Sequence, residues 1–591
     1  MAKKEYTENV SAPGKLFGLW LAFLCFLLPV KFASLAVMPE ATSFFPEDLF
    51  SWIFVTLPAH AWGIVSGVTL AAASCLFPMR KTDWKTLQGR MILLWGIVPV
   101  LAVLIGWRSG SLLGYSLGTA AHFAGISAFA ASVGLYLRKY PAKKNLLLAG
   151  IVAGTLYLGF AGLWQYFVGF ADMREFIDKQ IAAGEQVNYV LWAKVQDNRV
   201  YASFTSANVL AGFLLLTLPL VLTVLYKCGD YFEPQKVSRI LFPAVGFALS
   251  GTVFLMTKSR GAFLCALIIF AVWGLTLPMR KRWRMLLLAG ALAVAVCGAV
   301  YVQLCGRGFL SASERVDYIK TSVRMVTEKP LAGYGWGGFF YRHMALKTTD
   351  SNESARDPHN ILASFAAQAG VPGVLLIALV LFYPPCELGR RMFRKEADLV
   401  QIAIFWGSCG FLLHSMLDVN MQIPACLTIF SALQFIALAG ENVSEKERIA
   451  VLPMIGFAAV AAAAVVLNVH WVRGEKALDD LMNVINPGEK RGTPAEVQRY
   501  LNNVLKFRSY STMPYEITGD YYLSLRDLDT AEVYYRKSLA MDEKRPAIHR
   551  RLRELALQRG DHETAAGELK RMQELFPSNP EYRKLEASAE K

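Results

Sequence analysis

The chain has 591 residues, 54% of them apolar and only 18% charged, with a mean hydropathy of +0.35. That balance excludes an ordinary soluble domain and marks a polytopic membrane protein. A formal net charge of +15 would suit a nucleic-acid binder, but the basic residues stand in short clusters between apolar runs, where the bias of Lys and Arg toward one side of a membrane accounts for them.

About thirteen runs are long and apolar enough to span a bilayer. In chain order they cover 16–38, 50–77, 91–107, 111–137, 145–170, 207–226, 240–257, 261–278, 285–304, 371–386, 400–417, 421–439 and 450–469. The first has no small-residue cleavage site and a second span follows soon after, so it reads as an uncleaved span. Lys3, Lys4 and Lys15 precede the first span, and Arg80, Lys81, Lys85 and Arg90 follow the second. Arg138, Lys139, Lys143 and Lys144 follow the fourth, Arg280, Lys281, Arg282 and Arg284 the eighth, and Arg390, Arg391, Arg394 and Lys395 the tenth. All these clusters share one side if the N-terminus is cytoplasmic. The polar stretches 171–206 and 305–370, and the chain beyond the thirteenth span, then lie outside. The same count puts Glu445 inside and Asn352 and Glu581 outside. The expected fold class is all-α: a polytopic membrane helix bundle of about 12–13 spans, with a large outer loop and a C-terminal helical-repeat domain. The nine cysteines fall almost wholly within apolar runs and form no CxxC pair, so they read as small core hydrophobes and support neither a metal site nor a disulfide framework.

Charges at membrane depth are costly, and they tend to be functional or to reach for the interface. Arg199 precedes Tyr201-Ala-Ser-Phe-Thr-Ser-Ala-Asn208 just ahead of the sixth span. Arg260, in Lys258-Ser-Arg-Gly261, occupies the very short link between the seventh and eighth, and Arg315, in Ser313-Glu-Arg-Val-Asp-Tyr318, opens the large loop. By the topology count all three arginines share one face with His359. A guanidinium stays charged and presents a planar fork that fits diphosphate oxygens, whereas lysine is a point charge.

Residues 358–373 read Pro-His-Asn-Ile-Leu-Ala-Ser-Phe-Ala-Ala-Gln-Ala-Gly-Val-Pro-Gly, so His359-Asn360 is followed by nine residues, Gly370, two more and Gly373. Asp357 is a good N-cap and Pro358 suits the first helical position, which predicts a helix beginning there and stopping at Gly370. His359 would then lie in its first turn, where the positive end of the helix dipole disfavours imidazolium while Asp357 pulls the other way.

Beyond the last span the composition turns charged and helical. Gly519, Tyr522, Ala531 and Tyr535 match the small and aromatic positions of a tetratricopeptide unit, and Gly560, Ala565 and Pro577 belong to a second. Ala531 and Ala565 stand one repeat period apart. A weaker half-unit around Val497 and Leu501 extends the array. Such stacks bury their faces against one another and commonly hold a peptide or protein partner.

The His-Asn, nine residues, Gly-x-x-Gly spacing resembles the signature of the O-antigen ligase superfamily, which also contains O-antigen polymerases and protein O-oligosaccharyltransferases. The resemblance extends over about residues 195–420, through Arg199 with Phe204-Thr-Ser-Ala-Asn208-Val-Leu-Ala211, Ser259-Arg260-Gly261, Arg315 with Lys329-Pro-Leu-Ala-Gly333-Tyr-Gly335, and Asp357-Pro-His359-Asn360. It implies a bacterial inner-membrane glycosyltransferase that takes its glycan from undecaprenyl diphosphate at the periplasmic face. His359 would activate the acceptor, Arg260 and Arg315 would bind the diphosphate with Arg199 as a third candidate, and Asn360, His414 and Asp418 would line the cavity. No metal or other cofactor is expected, the transfer should invert the sugar, and nucleic acid is not a partner.

The first-choice acceptor is the lipid A-core sugar, with a growing glycan or a protein Ser/Thr as alternatives. The ligases of lipopolysaccharide usually have twelve spans and no repeats, and the thirteenth span and outer domain here are closer in layout to the protein O-oligosaccharyltransferases. A non-enzymatic alternative is a membrane scaffold that recruits partners through its repeats. The expected organisation is an N-terminal set of spans over 1–194, a catalytic region over 195–440 that includes the loop 305–370, a last span and linker over 441–475, and the repeats over 476–591.

Overall fold

The structure is a computed structural model describing residues 10–36, 45–46, 48–109, 113–183, 189–276, 280–286, 288–290, 292–293, 310–347, 355–440, 448–485, 492–577, 579 and 582. Asn352, Glu445 and Glu581, and most of the run 285–304, lie outside the described residues. Among those described the chain is all-α, its one β feature an isolated antiparallel bridge between Arg80 and Ile449.

Among the described residues eight helices are long and apolar enough to cross a membrane: Ala12–Lys31, Leu87–Arg108, Gly114–Lys139, Pro141–Ala182, Ala207–Tyr231, Gln235–Met256, Ile361–Phe393 and Val451–Ile485. Four shorter apolar helices, Ala61–Leu76, Arg260–Thr276, Leu399–His414 and Pro424–Ala437, accompany them. These twelve coincide with twelve of the apolar runs, with three differences of physical interest.

The run 50–77 is not one helix. Leu49–Phe54, started by a capping box of Asp48 and Ser51, ends ahead of Pro58, and a new helix begins at Ala61. Proline lacks an N–H and forces its predecessor out of the helical region. The carbonyls of Trp52 and Val55, left without helical partners, accept from the buried Lys31 Nζ at 2.8 and 2.7 Å.

The run 371–386 belongs to a helix that starts ten residues earlier, at Ile361, and kinks where Gly370 adopts φ 69° and ψ −173°. The polar stretch ahead of it holds two further helices, Leu310–Glu328 and Gly338–Leu346.

The run 450–469 is the first part of Val451–Ile485, about 52 Å long at 1.5 Å per residue, against a hydrocarbon core of about 30 Å. The boundary between span and repeats therefore falls inside a continuous helix. Its last turns place Ala477, Leu478 and Leu481 in one core with Val497, Leu501 and Val504 of Pro494–Arg508.

Two helix pairs follow, Met513–Ser524 with Leu528–Met541 and Pro546–Gln558 with His562–Leu575. Ala531 and Ala565 are buried at equivalent places, and a Cβ on Gly519 would stand 2.5 Å from the Tyr535 ring, so glycine there lets the helices of a pair close. A buried polar seam joins this unit to the bundle. His60 Nδ1 lies 2.9 Å from Asn468 Oδ1, Asn468 Nδ2 donates to the Ala121 carbonyl at 3.0 Å, and the Arg508 guanidinium sits 5.5 Å from the Trp471 ring centre.

The two ends of the bundle differ. One gathers the basic clusters: Arg138 pairs with Asp83, Lys144 lies 3.7 Å from Asp398, and Lys81 donates to the Arg448 carbonyl at 3.0 Å. The other carries Arg199, Arg260, Arg315, His359 and the repeats.

Candidate functional site

The turn before Ile361 differs from the expected helix start. Asp357 does not cap; its Oδ1 accepts from the His359 amide two residues on at 2.9 Å, and its Oδ2 from the Ser364 hydroxyl at 2.7 Å. Asn360 is the N-cap instead, its Oδ1 accepting from the Ala363 amide at 3.0 Å, and the helix runs from Ile361. His359 therefore precedes the helix, with φ of 53°. That left-handed backbone costs a non-glycine residue roughly 1–2 kcal/mol, and here the surroundings fix it. Asn360 Nδ2 donates to the Met416 carbonyl and the Ile361 amide to the Ser415 carbonyl, stitching the turn to the segment 414–420.

The imidazole so placed stacks on Tyr318, ring centres 5.9 Å apart and planes 25° from parallel. Its Nδ1 lies 4.0 Å from Asp418 Oδ1 and makes no hydrogen bond among the described residues. Asp418, 6% exposed at its side chain, is held by the Val419 amide at 2.8 Å. Burial pushes the Asp357 carboxyl above its ordinary value, opposed by the Ser364 hydroxyl, the nearby His359 ring and the His359 amide.

His359 and Asn360 face opposite hollows. His359, Asp357 and Asp418 line a cavity of about 320 Å³ together with Thr119, His122 and Gln368. Pro358 and Asn360 border a wider groove of about 740 Å³, whose far wall is the helix Leu310–Glu328 with Arg315, Lys320 and Arg324 alternating with Val316, Ile319 and Val323. His414 is buried behind the turn, its Nδ1 2.9 Å from Asn420 Nδ2, and both the Arg315 guanidinium and the Asp418 carboxylate are close enough to act on its ring. Gly261 abuts the same turn, since a Cβ there would lie 3.6 Å from Leu417 and 3.9 Å from His414; Arg260, exposed, heads the helix Arg260–Thr276 beside it.

Arg199 stands one loop away with its guanidinium engaged. Its Nε donates to the Thr257 carbonyl at 2.9 Å and its Nη2 to Asn208 Oδ1 at 2.6 Å, which braces the strand of chain leading to Ser259-Arg260. Gln165 steadies the turn just after Arg199 by accepting from the amides of Tyr201 and Ala202.

The Gly-x-x-Gly half of the motif is architectural. At Gly370 the first section of the helix ends against the turn 330–337: the Val371 amide donates to the Pro330 carbonyl at 2.7 Å, and a Cβ on Gly370 would meet that same oxygen at 2.6 Å. The turn returns the contact through Gly333, φ 63°, where a Cβ would lie 2.4 Å from the Gln368 backbone. Gln368 then accepts from the Gly337 amide at 2.6 Å, and Trp336 Nε1 reaches the Ala102 carbonyl at 3.2 Å, so Trp336 and Gly337 become a wall of the His359 cavity.

Sequence reasoning overlooked Tyr318, Gln368, Thr119 and His122. Tyr318 carries a legible signal, one helical turn after Arg315 and hence on its side of the helix. The other three belong to separate spans or face inward from a helix, and no local spacing marks them. Among the described residues no three His, Cys, Asp or Glu side chains converge as a metal site would require.

Residues 245–378 match the family model described as O-antigen ligase, and residues 522–589 match that of a tetratricopeptide repeat. The first match contains Arg260, Arg315, His359 and Asn360, while Arg199, His414 and Asp418 lie outside it. Both matches agree with the resemblance read from the motifs, and the first indicates a multi-pass membrane glycosyltransferase of the O-antigen ligase and polymerase type. No curated protein matches the chain.

Proposed function

We propose that this protein transfers a glycan from undecaprenyl diphosphate to an acceptor hydroxyl at the periplasmic face of a bacterial inner membrane, most simply as an O-antigen ligase acting on the lipid A-core sugar. The observation that carries this reading is the position of the turn 358–360 between two hollows with different polar groups. The groove behind Arg315 combines cations with an apolar helix face, which suits a diphosphate on a polyprenyl chain. The cavity before His359 is mainly apolar but presents the side chains of Thr119, His122, Asp357, Gln368 and Asp418, groups that can hold a hydroxyl acceptor.

In this reading the Asp418 carboxylate, 4.0 Å from Nδ1, favours a proton on that nitrogen by its charge and leaves Nε2 to take the acceptor proton. The acceptor oxygen forms its bond to the sugar C1 as the bond from C1 to the diphosphate oxygen breaks, and the diphosphate departs with the electron pair. Arg260 and Arg315 hold the negative charge it gathers, Arg199 braces the loop that carries Arg260, and one in-line displacement inverts the sugar. No metal is needed by this scheme. His414 and Asn420 support the turn from behind.

A protein Ser or Thr is the second acceptor reading, favoured by the repeats standing at the same end of the bundle as His359; glycan polymerisation is a third. Transfer from a purified lipid-linked donor, with lipid A-core, glycan and protein acceptors in parallel and a chelator in one arm, tests them. Turnover onto none of the three would sink the enzyme and favour a scaffold that recruits partners through its repeats, whereas turnover unchanged in His359→Ala would leave the histidine a positional role at most.

A further inference from the structure

A cavity of about 990 Å³ is distinct from both hollows of the proposed catalytic site. It opens between the repeats and the segment 329–345, and the turn 333–338 is its shared wall with the His359 cavity: Gly335 and Gly338 line this side, Trp336 and Gly337 the other. Clefts between two packed units, close to a reacting centre, are where ligands are most often held.

The lining says what kind of ligand. A peptide helix laid into a groove needs an apolar surface, and the nearby apolar surface is already taken by the chain's own helix Gly338–Leu346. Met344 is buried with Leu569, Met572 and Phe576, with Phe340 and Tyr341 packed beside it, and the Tyr341 hydroxyl bonds to Asp542.

A polyanion needs unspent cations. Here Arg108, Lys329, Arg342 and Lys544 line the cleft with Asp542, Glu543 and Glu574; Arg342 pairs with Glu328, Lys329 lies 4.4 Å from the Tyr334 ring centre, and Glu543 and Glu574 face Arg571 at 3.3 and 3.2 Å, so the lining mixes both signs with a small excess of positive charge. What remains is a cleft of mixed charge, near balance, with planar hydrogen-bonding groups and with the Tyr334 ring and the exposed Leu331 on its wall. A ligand rich in hydroxyls, with low charge and apolar C–H faces, matches that lining: carboxylates and guanidinium groups take vicinal hydroxyls in pairs, and a tyrosine ring takes the C–H face.

We propose that this cleft is a carbohydrate subsite that holds sugars of a neutral oligosaccharide away from the reacting centre. The subsite stands on the cleft itself; whether the sugars belong to the incoming acceptor or to the donor glycan rests on the transferase reading.

The test separates the two. Labelled full-length protein in lipid nanodiscs is applied to an array printed with neutral bacterial glycans, acidic bacterial glycans and peptides. Retention by neutral glycans is expected, weakened about tenfold or more by Ala332→Trp, which fills the cleft, and by Tyr334→Ala, but unchanged in His359→Ala. Both variants are near the surface, and unaltered elution of the purified protein guards against misfolding. Retention by peptides or acidic glycans alone, no retention, or retention indifferent to both cleft variants overturns the proposal. In transfer assays the same variants should raise KM for one partner while sparing kcat: a rise for the acceptor assigns the subsite to it, a rise for the lipid-linked donor assigns it to the donor chain. Unmoved KM values with glycan retention lost would refute a role in transfer. Glycan retention by a wild-type protein that transfers nothing would leave the subsite and remove the enzyme.

Discussion

His359 illustrates how a single side chain can be identified by sequence and still be misplaced by it. Its residue type and its spacing to Gly370 and Gly373 were legible, but whether Asp357 or Asn360 caps the following helix was not, because both are good caps and only the contact of Asn360 with the Met416 carbonyl decides between them. The left-handed turn that results aims the ring at Asp418 rather than leaving it along a helix. Replacement by alanine should lower kcat about 100-fold to 10,000-fold, the usual worth of a general base, with membrane insertion intact; transfer by purified protein measures it.

The arginines separate charge from geometry. Arg260→Lys and Arg315→Lys keep the charge but lose the paired hydrogen bonds, so donor affinity and turnover should both fall. Arg90, exposed at the basic end and donating to the Thr86 carbonyl at 3.4 Å, should accept lysine without effect. If all three variants turn over alike, a diphosphate clamp at these positions is wrong.

At the level of helices, hydropathy was a sound guide to which runs form apolar helices and a poor one to where they end. The run 50–77 carried its own warning in Pro58, whereas nothing in the local composition announces that Val451–Ile485 continues without a break, since that depends on the repeats receiving its last turns. The kink at Gly370 offers a direct trial. Gly370→Ala would force a Cβ against the Pro330 oxygen in a backbone region that costs such residues about 1–3 kcal/mol, so thermal stability should drop and turnover with it, as the wall of the His359 cavity shifts. Gly456→Ala, with no atom within 4 Å of the added carbon, should be neutral or slightly stabilising in the same unfolding measurement.

The last two repeat helices carry a pH-dependent contact, His549 Nδ1 at 2.6 Å from Glu568 Oε2. Burial lowers the imidazolium, but the Glu568 carboxylate and the Glu543 carbonyl outweigh it and leave His549 above its ordinary 6.5. A raised folded value means stabilisation present in full below the unfolded value and lost as pH rises through the folded one. Hydrogen exchange over 546–575 in the full chain, corrected for intrinsic rate, should show more protection at about pH 5.5 than at about pH 8, and His549→Gln should flatten the difference.

Across the whole molecule, the repeats and His359 stand together at the end away from the basic clusters, and the sequence count reached the same arrangement because each basic cluster flanks a crossing. With the N-terminus inside, a cysteine at exposed Lys570 should react with an impermeant maleimide in intact spheroplasts, while one at exposed Lys236 should react only after lysis. The reverse pattern would turn the protein over and remove the periplasmic assignment. What the sequence did not disclose is that the repeats complete the loop 329–345, because that contact pairs residues hundreds of positions apart, such as Tyr341 with Asp542 and Met344 with Met572. It has a consequence for biogenesis. The helix behind the Trp336-Gly337 wall has its buried partners more than 200 positions further along the chain, so a nascent chain that has already inserted His359 still lacks the support of its cavity. Under the proposed function, competence would arrive all at once when these helices dock, and incompletely made molecules would stay inactive.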